Sequence, residues 1–129
     1  GPFTAAVNDH FTRTLQYQND LPYEILTGRA RPWNYNNVQN RFLNVAETLR
    51  SSMTRNPSLK VWVVSGYYDL APPYFATDYV LDHMFLPPSL KKNITVNYYE
   101  SGHMVYIHQP SLIQMHKDFQ AFMRDALKE

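Results

Sequence analysis

The sequence predicts an α/β fold with a short parallel sheet and covering helices. Two apolar segments, residues 59–65 and 93–99, have the β-branched composition of strands, and the first is continuous enough for burial on both faces. Helical patterns precede, separate and follow these segments, so the chain contains a βαβ unit whose strands are expected to be parallel with a right-handed crossover. At 129 residues, 44% hydrophobic and 18% charged, the chain has enough apolar material for a core.

The first third of the chain combines one helix with a long irregular connection. We predict a helix over residues 1–15, because Pro2 suits its first turn and apolar residues recur every four positions, at Phe3, Val7 and Phe11. Residues 16–37 are interrupted by Pro22, Gly28 and Pro32, yet they are too apolar for a free linker. This connection is therefore expected to pack against other residues.

Three further helices are predicted from caps and periodicity. In residues 44–57, Asn44 is expected to cap a helix, with Glu47 completing a capping box. Residues 72–85 open with two prolines and form the crossover helix, which Pro87 and Pro88 end. Ser111 is expected to cap the last helix, whose apolar face comprises Leu112, Met115, Phe119, Phe122, Met123 and Ala126.

Two strands are few for a sheet of this kind. Each fully buried large side chain contributes about 1.5–3 kcal/mol to the stability of the fold, and a two-stranded sheet cannot bury its apolar side chains fully on its own. Both edges of such a sheet also stay open. We therefore expect this chain, which starts at Gly1 rather than methionine, to be the end of a larger sheet, as a fragment or a processed product. The same open edges predict homo-oligomers or strand exchange.

One ionisable residue follows each predicted strand. Asp69 lies in SGYYDLAPP and His103 in ESGHM, and neighbouring parallel strands lie only about 5 Å apart. An aspartate that accepts a hydrogen bond from one imidazole nitrogen leaves the other nitrogen free to take a proton from a hydroxyl. The alternatives are a turn or capping aspartate before Pro72 and an ordinary loop histidine.

The nucleophile of such a triad is missing. Hydrolases of α/β architecture carry their serine in a Gly-x-Ser-x-Gly elbow that precedes the aspartate and the histidine, and this chain has no such elbow. Ser65 and Ser101 adjoin the two loops but lie in other motifs, and there is no cysteine. The spacing of the histidines fits no familiar metal site, and no cofactor is predicted. The chain alone is therefore expected to be inactive.

The residues around His103 resemble the serine carboxypeptidase family. SGHMVYIHQPSLIQMHKDFQAFM is similar to the family's Gly-His-Met, Gln-Pro and following amphipathic helix, and VWVVSGYYDLAPPYFATDY is similar to its aspartate element. The phrases GPFTAAVNDH, DLPYEIL and NVAETLR extend the resemblance to bacterial members over nearly all of residues 1–129.

The resemblance implies that residues 1–129 are the C-terminal segment of an α/β-hydrolase fold. It implies a peptide substrate, His103 as general base and then general acid, Asp69 as the group that orients it, and Met104 beside the histidine near substrate. An N-terminal part of the same domain would supply the serine, and a periplasmic or secreted location is favoured. Tyr68 belongs to a group of tyrosines near the two loops that either line a substrate pocket or pack in the core.

Other classes of function stay open or are disfavoured. An esterase or aminopeptidase on the same scaffold would look alike at these residues, and a non-catalytic binding or assembly domain would retain the pair as a relic. A net charge of +1 without basic clusters disfavours nucleic acid. No apolar run approaches the roughly 18 residues that span a membrane.

Overall fold

The computed structural model describes residues 1–21, 23–24 and 27–128 of the chain. These residues form a mixed α/β structure with five α-helices and a two-stranded parallel sheet packed against helices. The chain divides into two compact units, Gly1–Phe42 and Leu43–Glu129.

The first unit begins with the predicted helix. Helix α1 spans Pro2–Asp9 and continues as a wider π-helical turn over His10–Thr14, where the Leu15 amide donates to the His10 carbonyl at 3.0 Å. The helix predicted over residues 1–15 is thus confirmed, with a change of winding in its last turn.

The irregular connection packs partly against that helix. The Phe11 ring lies edge-on to the rings of Tyr17 and Tyr23, with centroids 6.4 Å and 5.3 Å away. Two 3₁₀ turns, Gly28–Ala30 and Asn36–Val38, complete the unit, while Pro22 lies outside the described residues. The expectation that this connection packs against other residues is confirmed at the two tyrosines.

The second unit contains the sheet. In chain order its elements are α2 (Ala46–Arg55), β1 (Val61–Gly66), α3 (Tyr74–Asp82), α4 (Pro88–Lys91), β2 (Ile94–Tyr99) and α5 (Gln109–Ala126). A 3₁₀ turn over Val105–Ile107 connects β2 to α5.

The two strands pair in parallel, as predicted. Their register runs from Val61 opposite Ile94 to Gly66 opposite Tyr99, so both strands end at the same edge of the sheet. The Val61 amide donates to the Asn93 carbonyl at 2.9 Å at the start of this ladder. The loops after β1 and β2 consequently leave the sheet side by side.

Helix α5 covers one face of the sheet. The Trp62 indole packs on Phe119 and Phe122, with centroids 5.3 Å and 5.9 Å away, and its Nε1 donates to Asn97 Oδ1 at 2.7 Å. The amphipathic pattern of this last helix therefore predicted its packing face correctly. The most deeply buried apolar side chains of the unit are Met53, Met84, Tyr99 and Val105.

The predicted capping box of α2 is wrong. The helix begins at Ala46 with Val45 at the cap position, and Asn44 Oδ1 instead accepts from the Ala46 amide at 2.9 Å, one position too early for a cap. Glu47 is then the second residue of the helix rather than the third, so it cannot complete a capping box, and it pairs with Arg50 instead.

The predicted cap of α5 is also wrong. This helix starts at Gln109, and Pro110 lies in its first turn. Amides in the first turn have no acceptor within the helix, so a proline there loses no helical hydrogen bond. Ser111 is therefore inside the helix, and its hydroxyl bonds the His108 ring.

The predicted role of Pro87 and Pro88, to end the crossover helix, is also wrong. The crossover helix already stops at Asp82, and Phe85 adopts a left-handed φ of 53°. Pro88 then begins α4, because a proline at the first helical position has its φ fixed near the helical value.

The expected burial of β1 on both faces is not reached in this chain. Residues Val61–Val64 are only half-buried, and Ser65 and Gly66 alone are buried. The physical reason is that, in the part of the chain that the structure describes, β1 has a neighbouring strand on one side only. Among the described residues, no helix is both long enough and apolar enough to cross a membrane.

Candidate functional site

The candidate site lies where β1 and β2 end. After β1 the chain turns back on itself, so that the Asp69 amide donates to the Gly66 carbonyl at 3.2 Å. The loop after β2 is tied to this turn by the Tyr68 amide, which donates to the Ser101 carbonyl at 3.0 Å. These bonds place the side chains of Asp69 and His103 next to each other.

Asp69 and His103 are in direct contact. The His103 Nδ1 atom lies 2.8 Å from Asp69 Oδ2, across 34 residues of sequence. The other carboxylate oxygen, Oδ1, accepts from the Ala71 amide at 2.9 Å. The carboxylate is buried, with 8% of its side chain exposed, whereas 69% of the His103 side chain is exposed. The pair therefore has a fixed, covered carboxylate and an accessible imidazole.

The environment holds Asp69 in its ionised form. Burial acts to raise the pKa of this carboxyl, but the hydrogen bonds from His103 and the Ala71 amide and the charge of a protonated His103 outweigh it, so the pKa lies below its ordinary value. A carboxylate with a lowered pKa stabilises the folded state above the ordinary carboxyl pKa. That contribution disappears as the pH falls through the lowered value.

This arrangement gives the imidazole a defined chemical state. When Nδ1 donates its proton to Asp69, the proton of the neutral ring is on Nδ1 and the lone pair is on Nε2. Within the described part of the chain, Nε2 makes no hydrogen bond. An exposed basic nitrogen of this kind can accept a proton from a hydroxyl and return it to a leaving group.

The serines next to the site do not contact the imidazole. Ser65 and Ser101 are both buried, and neither bonds His103. A different serine, Ser111, bonds the Nδ1 atom of His108 at 2.8 Å, a contact that the sequence analysis did not anticipate. The Ser111 side chain is buried inside the first turn of α5, so its hydroxyl cannot reach a substrate.

The two predicted substrate-side residues flank the pair. Tyr68 precedes Asp69, and its ring is exposed while its backbone amide ties the two loops together. Met104 follows His103 with just over a third of its surface exposed. Both side chains are thus exposed to solvent at sequence positions next to the pair, and their role toward a substrate stays a prediction.

No grouping of three or more potential metal ligands occurs among residues 1–21, 23–24 and 27–128. Two backbone features of the site were not predicted from the sequence, namely the hydrogen bond from the Ala71 amide and the close approach at Gly66. Neither can be inferred from residue type alone. The one sequence signal for these two features is the Gly-Tyr-Tyr-Asp spacing after β1.

No protein-family model, no curated protein and no solved structure matches this chain. The candidate site is therefore defined by its own geometry, an Asp–His pair with one imidazole nitrogen held and the other open to solvent.

Proposed function

We propose that this chain supplies the aspartate and histidine of a Ser-Asp-His triad in a serine-type carboxypeptidase that removes residues from peptide C-termini. The observation that carries the proposal is the 2.8 Å contact between His103 Nδ1 and Asp69 Oδ2, with Nε2 exposed. The order of the two residues along the chain supports it, because hydrolases of α/β architecture place the aspartate before the histidine. The resemblance around Gly102, His103 and Met104 supports the choice of a peptide substrate.

In the proposed reaction His103 acts first as a general base and then as a general acid. Its Nε2 accepts the proton of a serine hydroxyl as that oxygen bonds the scissile carbonyl carbon, and then gives the proton to the amine as the carbon–nitrogen bond breaks. A water molecule then repeats the sequence on the acyl-enzyme, which releases the shortened peptide and regenerates the serine. Throughout, Asp69 stays ionised and stabilises the imidazolium, which its lowered pKa favours.

The serine and the oxyanion hole are proposed to come from an N-terminal part of the same domain, seated along the open edge of β1. In a parallel ladder, bonds to the partner strand alternate along the chain. Because the Val61 and Tyr67 amides donate to Asn93, just before β2, and to Tyr99 in it, those of Trp62 and Val64 point to the opposite side. A further strand there would satisfy these groups and cover the half-buried apolar side chains of β1.

A serine-directed fluorophosphonate probe on the full-length protein tests the proposal. We expect covalent labelling of one serine outside residues 1–129 and no labelling of this chain alone. His103→Gln should abolish labelling, because the serine loses its base. His108→Gln is the matched control and should retain labelling, because the buried Ser111 that His108 bonds is not the nucleophile. Labelling that survives His103→Gln would refute the proposed triad, and an unlabelled full-length protein would favour a non-catalytic domain.

Substrate choice separates the proposed activity from related ones. A carboxypeptidase should cleave a peptide with a free C-terminal carboxylate and spare its C-terminal amide. Turnover of simple esters without peptide cleavage would indicate an esterase, and release of N-terminal residues an aminopeptidase.

A further inference from the structure

Gly66, the last residue of β1, is the point where the two loops of the site come closest. The residue is buried, and a Cβ atom built on it would lie 2.5 Å from the carbonyl oxygens of Ser101 and Gly102. Real Cβ atoms essentially never approach other atoms closer than 3.0 Å. Both obstructing atoms belong to the backbone, so no side chain can rotate away to make room.

The requirement for glycine here is steric rather than conformational. None of the described glycines has a positive φ, so the backbone at Gly66 lies in a region that alanine also adopts. Only the missing side chain matters at this position. Gly102 differs, because a Cβ there would meet only the Tyr68 carbonyl oxygen, at an ordinary contact distance of 3.9 Å.

The backbone around Gly66 is connected to both members of the pair. On one side its carbonyl accepts from the Asp69 amide, which closes the turn that carries the carboxylate. On the other side it abuts the carbonyl of Ser101, two residues before His103, and that carbonyl also accepts from the Tyr68 amide. The backbone at Gly66 therefore contacts both the turn that carries the carboxylate and the loop that carries the imidazole.

We propose that Gly66 is a positioning residue for the Asp69–His103 pair: its lack of a side chain lets the two loops approach until the carboxylate and imidazole meet. The catalytic consequence, but not the positioning itself, rests on the proposed function. A methyl group at this position must move the Ser101 and Gly102 carbonyls by roughly half an ångström or more. Misplacement of catalytic groups by about 1 Å costs about 100-fold in rate.

Two matched glycine-to-alanine variants of the full-length protein test this inference. The direct readout is the ¹⁵N chemical shifts of the His103 ring, because the bond to Asp69 places the proton of the neutral ring on Nδ1. Gly66→Ala should keep its far-UV circular dichroism but lose this tautomer preference, and its fluorophosphonate labelling should slow by about 10- to 100-fold. Gly102→Ala should retain the tautomer and label within about threefold of wild type.

Each outcome decides for or against the inference. A Gly66→Ala protein that keeps the Nδ1–H tautomer overturns it, as does a Gly102→Ala protein with the same loss. Loss of the native circular dichroism spectrum in Gly66→Ala overturns it as well, because Gly66 would then be required for folding rather than for positioning. If wild type is not labelled but Gly66→Ala loses the tautomer, the positioning role stands and the hydrolase function fails.

Discussion

At the scale of single residues, the two carboxylate oxygens of Asp69 have separate partners. Oδ1 accepts from the Ala71 amide and Oδ2 from the His103 ring, at 2.9 Å and 2.8 Å. Because the backbone bond fixes the plane of the carboxylate, Oδ2 is held toward Nδ1 even though the imidazole itself is exposed. The aspartate is therefore the fixed partner of the pair, and it orients the imidazole ring of His103.

Asp69→Asn is expected to lower turnover of the full-length enzyme by about 10⁴-fold, the loss that the corresponding change causes in trypsin. An asparagine whose oxygen keeps the Ala71 bond presents its NH₂ group to Nδ1. That donor favours the tautomer with its proton on Nε2, which cannot accept a proton from serine. Steady-state kinetics on a C-terminally free peptide measure the effect.

Asp82→Asn provides the control, because Asp82 is an exposed carboxylate that pairs with Lys91 at 2.6 Å in another part of the fold. Its turnover should stay within about threefold of wild type. A loss of less than about tenfold in Asp69→Asn would remove Asp69 from the mechanism.

At the scale of elements, the end of β2 is hydrogen-bonded to one helix on each face of the sheet. Tyr98 and Tyr99 are consecutive in a strand, so their side chains point to opposite faces. The Tyr99 hydroxyl donates to Asp118 of α5 at 2.8 Å, while the Tyr98 hydroxyl donates to Asp78 of α3 at 2.5 Å. Burial and the bond to Asp118 raise the pKa of Tyr99.

The bond between β2 and α3 should weaken at high pH. The hydrogen bond to Asp78, together with partial burial and the negative charge of that carboxylate, raises the pKa of Tyr98 to about 12. Because an unfolded tyrosine titrates near pH 10, this bond stabilises the fold fully below about pH 10 and is lost as the pH rises through about 12.

Spectrophotometric titration at about 295 nm, where phenolate absorbs, measures this shift. Tyr98→Phe should remove one equivalent from the part of the curve near pH 12 and leave the rest unchanged. An equivalent lost near pH 10 instead would show that the bond to Asp78 does not hold the phenol in solution.

At the scale of the whole molecule, the sheet has two strands and two open edges within the described residues. The amides of Trp62 and Val64 point toward the open edge of β1, beside apolar side chains that are only half-buried. Such an edge is a template for another strand. In the absence of an N-terminal partner, a second copy of the chain is the strand most readily available.

We therefore expect this chain alone to associate in a concentration-dependent way, which sedimentation equilibrium measures. Val64→Pro should weaken association, because proline removes an amide from the open edge and spares the bonds to β2. Val63→Pro is the matched variant, and it should disrupt the β1–β2 pair because its amide faces β2 in the alternating ladder. A wild-type chain that stays monomeric at the highest measurable concentration would contradict this expectation.

The sequence by itself determined most of the segments that become helices and strands, because apolar spacing and β-branched composition act over a few neighbouring residues. It predicted α1, the parallel strands and the packing face of α5, and it placed Asp69 and His103 just beyond the strand ends. It did not determine the start of α2 and α5 or the existence of α4, because alternative caps and prolines compete there by amounts of about 1 kcal/mol.

Only the tertiary structure decided how the site is assembled. The 2.8 Å contact between Asp69 and His103 joins residues 34 positions apart, and it depends on the strand register and on the space left by the missing side chain of Gly66. Distances of this kind arise from packing between distant segments. Local residue patterns carry no information about that packing. The chemistry of the pair was therefore readable from residue types, whereas its geometry required the fold.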